Sequence, residues 1–121
     1  MRLAGAIAAL AAVVGLVAGP AGSARRDPAR VQIVAKEYQL LPSRYVLPAG
    51  PAIVELVNAG EDAHDLALRR HVPGARTIHM PVVQSGALAR ISVRLFKGRY
   101  DVWCTLPNHK ALGMQTRLVV R

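Results

Sequence analysis

Cysteine is all but missing from this chain: Cys104 stands alone among 121 residues, so no intrachain disulfide can form. Aromatic residues are almost as scarce, at one Trp, three Tyr and one Phe. A core built without them rests on Val, Leu, Ile and Ala, and strands offering aromatic stacking platforms for nucleic-acid bases are excluded. Acidic residues are few, 7 Asp+Glu against 16 Lys+Arg, which leaves a formal net charge of +9. The positive charge is nevertheless dispersed, with Arg44, Arg69, Arg70, Arg76, Arg90, Arg94, Arg99, Arg117 and Arg121 spread along the chain and no run of five basic residues. That dispersal argues against nucleic-acid binding and describes a solvated surface able to steer an acidic partner. Apolar residues, at 52%, are plentiful enough to exclude long low-complexity disorder.

The N-terminus holds the one long uncharged run. Arg2 precedes residues 3–24, which carry no charge, and residues 3–18 are rich in Ala, Val and Leu. Pro20 and Gly22 interrupt the run, and Gly22, Ser23 and Ala24 offer small residues before Arg25. This is the pattern of an export signal cleaved after Ala24. The rival reading, a retained membrane anchor, is weakened by the Ala/Gly content and by Pro20. The mature protein is therefore expected to be periplasmic or secreted, touching a membrane only if the leader is kept. In an oxidising compartment an unpaired thiol has to be buried or held by something, and a metal is the evident candidate for Cys104.

Past a short polar lead-in at 25–30, the pattern is that of strands. Residues 31–38, 44–47, 52–58, 64–69, 78–84, 89–96, 100–104 and 114–120 combine β-branched or alternating apolar residues with Gly, Pro and Asn punctuation. The clearest alternation sets Ala89, Ile91, Val93 and Leu95 against Arg90, Ser92 and Arg94. Pro81 places its strand at a sheet edge. About eight short strands at roughly ten-residue spacing predict an all-β, antiparallel Greek-key sandwich over residues 31–121.

The chemistry is concentrated in the segment that opens at Cys104 and closes at Met114, with His109 midway: C-x4-H-x4-M, between two predicted strands. A thiolate and a thioether are soft donors, and imidazole suits copper, zinc and iron. One Cys, two His and one Met is the donor set of a trigonal copper site with a weak axial Met. Structural zinc sites use more cysteines and rarely Met, iron–sulfur clusters need several cysteines, and calcium and magnesium want oxygen. The second imidazole has to come from His64, His71 or His79. His64 opens a strand at the end of the sandwich where loops gather, so it is preferred; His71 and His79 read as surface residues. Taken singly, a Cys or Met is an ordinary core residue; together, at this spacing and outside the cell, the three are not.

At this point the chain resembles the cupredoxins, the small blue copper proteins that include plastocyanin, azurin, auracyanin and rusticyanin. The resemblance lies in the segment from Gly98 through Trp103-Cys104 to Met114, and in Leu56-Val57-Asn58-Ala59-Gly60 leading to His64. It implies His64, Cys104 and His109 as equatorial ligands of one copper ion, Met114 as the axial ligand, and Cu(I)/Cu(II) cycling without substrate chemistry. The chain departs from the family's pattern at Asn108, where Gly often precedes the second histidine, and at Asp65, where Asn often follows the first. Asn tolerates left-handed backbone angles, and Asp65 is expected to tie the ligand loops together while its charge favours Cu(II). Trp103 replaces a usual Phe or Tyr and, by alternation, faces away from Cys104.

No nucleophile or acid/base constellation accompanies the motif, and a four-ligand site has no open position, so an enzyme is not expected. Two functions share the donor set: an electron carrier and a copper protein for storage, delivery or resistance. The carrier reading predicts a monomer whose His109 lies in an apolar patch of Leu106, Pro107, Ala111 and Leu112, rimmed by Lys110 and the arginines, for an acidic redox partner.

Overall fold

Period-two alternation becomes a sandwich because each strand has one face to bury. A computed structural model describes residues 4–5, 9–20, 22 and 25–121. Its strands are β1 (Ala29–Lys36), β2 (Gln39–Pro42), β3 (Val46–Leu47), β4 (Gly50–Asn58), β5 (His64–Arg70), β6 (Thr77–Val83), β7 (Leu88–Leu95), β8 (Gly98–Trp103) and β9 (Gln115–Val120). They form a four-stranded sheet in the order β2-β1-β4-β7 and a five-stranded sheet in the order β3-β9-β8-β5-β6. In β1, Val31, Ile33 and Ala35 point inward; in β4, Ala52, Val54 and Leu56 do so. They meet Leu66, Leu68, Tyr100, Val102 and Leu118 of the other sheet in one core. With so few aromatics, aliphatic side chains dominate that core.

The expected all-β sandwich is present, with differences in detail. β2 was not expected: Gln39–Pro42 is a fourth strand of the first sheet, pairing antiparallel with β1. Two pairings are parallel rather than antiparallel, β1 with β4 and β3 with β9. Alternation tells which face of a strand is buried but not which neighbour it takes, so the sequence carries no signal for this. β1 starts at Ala29, two residues before the expected domain edge. β6, with Pro81, is an edge strand. Residues 72–77 contain turns and bends but no helix.

The expected leader at 1–24 falls partly outside the described residues. Its described portion is exposed and has no regular secondary structure. Among the described residues, no helix is long and apolar enough to cross a membrane.

Candidate metal centre

β5 and the β8–β9 connection bring the candidate donors together at one end of the sandwich. His64 is the first residue of β5 and is fully buried. A bulge between His64 and Leu66 shifts the pairing with β6, and such a bulge re-aims side chains at the rim of a sheet. The loop before it is pinned by Asn58, a buried amide at the end of β4. Asn58 Nδ2 donates to the carbonyls of Asp62 (2.7 Å) and Val83 (2.9 Å), and its Oδ1 accepts the Gly60 N–H (2.9 Å).

Cys104 immediately follows β8 and Met114 immediately precedes β9, both fully buried. Cys104 N–H donates to the Met114 carbonyl at 3.1 Å, which extends the β8–β9 ladder by one rung, and Met114 N–H donates to the His109 carbonyl at 3.0 Å. The intervening loop winds through His109 N–H to Leu106 O (3.1 Å), Leu112 N–H to Asn108 O (3.0 Å) and Gly113 N–H to Lys110 O (3.0 Å). Asn108 has φ 66°, the left-handed conformation that its side chain tolerates. Gly113 has φ 121°, and a Cβ there would lie 3.1 Å from the Tyr38 carbonyl, so the loop closes against the β1–β2 turn at a point where only glycine sits easily.

One donor atom each from His64, Cys104 and His109 lies within 4.8 Å of the other two. The two Nδ1 atoms are 3.2 Å apart, and Cys104 Sγ is 3.5 Å from His109 Nδ1. Two ring nitrogens and a sulfur turned toward one point suit a cation. Burial is the main influence pushing the Cys104 thiol up, with the Asp65 charge adding to it and the backbone amides of Asp65 and Leu106 opposing. A bound metal ion supplies the positive charge that makes such a thiol a thiolate. Two converging imidazoles and one thiol fit copper on donor chemistry, with Met114 tied by its backbone to both Cys104 and His109 as the candidate thioether donor.

Asp65 joins the two ligand segments. Its Oδ1 accepts the Thr105 N–H at 2.6 Å and its Oδ2 accepts the Thr105 hydroxyl, which fastens the residue after His64 to the residue after Cys104. Around His109, which is half-buried, Pro107, Ala111 and Leu112 are exposed and Leu106 partly so. Lys110 Nζ lies 4.9 Å above the Trp103 ring, so Trp103 packs outward as its alternation indicates. His71 is exposed and pairs with Asp101 at 3.1 Å, and His79 is exposed on β6; neither joins the cluster.

Two residues at the centre escaped the sequence reading. Glu37 and Tyr38, the turn between β1 and β2, both touch it. Glu37 Oε1 lies 2.9 Å from His64 Nε2, and the Tyr38 ring meets the His109 ring edge-on at 5.2 Å. The sequence pattern puts both at the end of the strand 31–38, whereas β1 ends at Lys36 and residues 37–38 form the turn into β2.

No family model matches the chain, and no curated protein matches it. Solved structures do. Dithionite-reduced auracyanin from Roseiflexus castenholzii aligns with a TM-score of 0.64 at 14% identity, over 79% of this chain and 99% of that one. Auracyanin A, a "blue" copper protein from Chloroflexus aurantiacus, aligns at 0.63 and 19% identity, over 78% and 100%. Amicyanin from Paracoccus versutus aligns at 0.51 and 19% identity, over 80% and 84%. The fold is that of a cupredoxin. In this cupredoxin fold the clustered side chains occupy the end of the sandwich where the β8–β9 connection closes over β5.

Proposed function

We propose that the chain is a type 1 copper protein that carries single electrons, with His64, Cys104, His109 and Met114 as the residues that would hold the copper. The observation that carries this reading is the convergence of two imidazoles and the lone buried thiol within 4.8 Å, at the end of a cupredoxin fold. Copper held there would take one electron from a reduced partner and pass it to an oxidised one, alternating between Cu(II) and Cu(I). The protein's own part is to keep the donors still. Asp65 locks the two ligand segments together, the loop's backbone bonds fix His109 relative to Met114, and burial excludes water from Cys104 and His64. A site that does not rearrange between oxidation states lowers the reorganisation each transfer requires.

The half-buried His109 ring is the exit, and the apolar residues around it form the contact surface. The net charge of +9 favours an acidic partner. Residues 1–24 act as an export signal, and the mature chain, residues 25–121, works outside the cytoplasm as a monomer. The test is an optical and EPR spectrum of the copper-loaded mature protein. An intense Cys-to-copper charge-transfer band, reversibly bleached on reduction and missing in Cys104→Ser, is expected. A colourless protein that holds only Cu(I) would replace electron transfer with copper handling.

A further inference from the structure

The β1–β2 turn belongs to the opposite sheet from His64, Cys104 and Met114, yet it reaches across the open end of the sandwich. Glu37 Oε1 gathers three N–H groups there: Glu61 N at 2.9 Å, Asp62 N at 2.7 Å and His64 Nε2 at 2.9 Å. The side chain is 27% exposed while His64 is wholly enclosed, and among the described residues no Lys or Arg forms an ion pair with this carboxylate. The seat is shaped for it. A Cβ on Gly60 would lie 2.6 Å from Glu37 Oε2 and 2.8 Å from its Cδ, so the loop passes this close only because residue 60 has no side chain.

Building on the copper reading, we infer that Glu37 is a positioning residue for His64 that also sets the balance between the two copper oxidation states. By accepting the Nε2–H, the carboxylate fixes the tautomer and leaves the Nδ1 lone pair facing Cys104 and His109. A carboxylate on the outer nitrogen raises the basicity of the inner one and holds the ring's orientation. Its uncompensated negative charge favours the more positive metal state, Cu(II). Glu37 also caps the amides of Glu61 and Asp62, so a purely structural role has to be separated from this one. Glu37→Gln does that, since its amide oxygen still accepts the three N–H groups while the charge is gone.

The experiment compares wild type, Glu37→Gln and Glu37→Ala. Metal-free samples are followed by thermal unfolding and by 15N NMR of the imidazoles; copper-loaded samples by the optical band, Cu(II) and Cu(I) affinities and potential. In Glu37→Gln we expect an unfolding midpoint lowered less than in Glu37→Ala, because the three N–H bonds keep a neutral acceptor, a retained band and Cu(II) affinity about 10–100-fold lower. Cu(I) affinity should change at least tenfold less, which at a one-electron couple is a rise of about 59 mV or more. Glu37→Ala should show the same rise, a lower unfolding midpoint and loss of the single Nε2–H tautomer of His64. A blue Glu37→Gln whose Cu(II) affinity lies within twofold of wild type, and whose potential lies within about 18 mV of it, would overturn the inference and leave Glu37 a cap of the 61–62 turn. A wild type without the band would instead sink the copper reading and the tuning with it, and the imidazole spectra would still report whether Glu37 holds His64.

Discussion

Removing Asp65 tests whether the two ligand segments are fastened where the structure places the fastening. Asp65 is 7% exposed and takes both hydrogen-bonding groups of Thr105, the N–H at 2.6 Å and the hydroxyl. A hydrogen bond to a charged acceptor contributes about 1.5–3 kcal/mol. Thr105 is exposed, so water recovers part of its hydroxyl bond in Asp65→Ala, and the cost of burying a carboxylate is also removed. The net loss is about 2 kcal/mol. For a domain of this size each kcal/mol lowers the unfolding midpoint by about 4–8 °C, so the metal-free Ala variant should melt about 8–16 °C lower. Asp65→Asn behaves differently. Its Oδ1 still accepts the Thr105 N–H, and its amide nitrogen can donate to the hydroxyl oxygen, so the loss should stay near or below about 1 kcal/mol. The charge is gone, however, and the copper potential should rise because Cu(II) loses a stabilising negative neighbour. Thermal unfolding by circular dichroism and redox titration of the loaded protein read the two effects separately. An Ala variant melting within about 3 °C of wild type would refute the fastening, and an unchanged potential in the Asn variant would refute the charge effect.

Three further outcomes are expected. Gly60→Ala places a methyl group where the Glu37 carboxylate sits, so potential and Cu(II) affinity should shift as in Glu37→Ala although the carboxylate is still present; wild-type values would mean the side chain simply swings aside. Reaction of the reduced protein with an anionic oxidant should slow as salt rises and with a cationic one should quicken, as a net charge of +9 requires; stopped-flow rates independent of salt would remove the electrostatic part of the docking argument. Glu55, held below its ordinary value of 4.5 first by the Gln32 amide and then by Arg90, adds stability above that value and loses it as pH falls through and below it. Glu55→Gln should therefore show a shallower decline in denaturation midpoint on acidification from neutral pH, and an identical decline would mean the pairing contributes nothing.

Much of this molecule is readable because exposure follows side-chain chemistry locally. Ala89, Ile91, Val93 and Leu95 alternate with Arg90, Ser92 and Arg94, and β7 lies there to within a residue. The spacing from Cys104 through His109 to Met114 is local too, and a hairpin loop brings those residues to one end regardless of how the sheets are ordered. His64 could be preferred because a strand opening after a turn has to sit at a sandwich end. Strand partners were not legible. The parallel pairing of β1 with β4 depends on which strand edges remain open once the chain collapses, and no single residue encodes it. β2 was missed because Pro42 reads as punctuation, yet Pro is tolerated on the edge strand this turned out to be. Glu37 was illegible for a related reason: its contact with His64 exists only once two sheets have docked in a particular register, across 27 residues of chain.

The β8–β9 hairpin has a consequence for how the protein comes apart. Three of the four proposed donors, Cys104, His109 and Met114, lie on one continuous stretch, while His64 arrives through strand pairing with β8 and β6. On the copper reading, a chain that has lost its sheets keeps that stretch and would go on offering the ion three donor side chains. Copper would then bind the unfolded chain as well as the folded one, and its stabilising effect would fall short of what the folded-state affinity alone implies. The same retention would let a newly made, still unfolded chain capture its ion first and assemble the fourth donor, with its Glu37 support, around it.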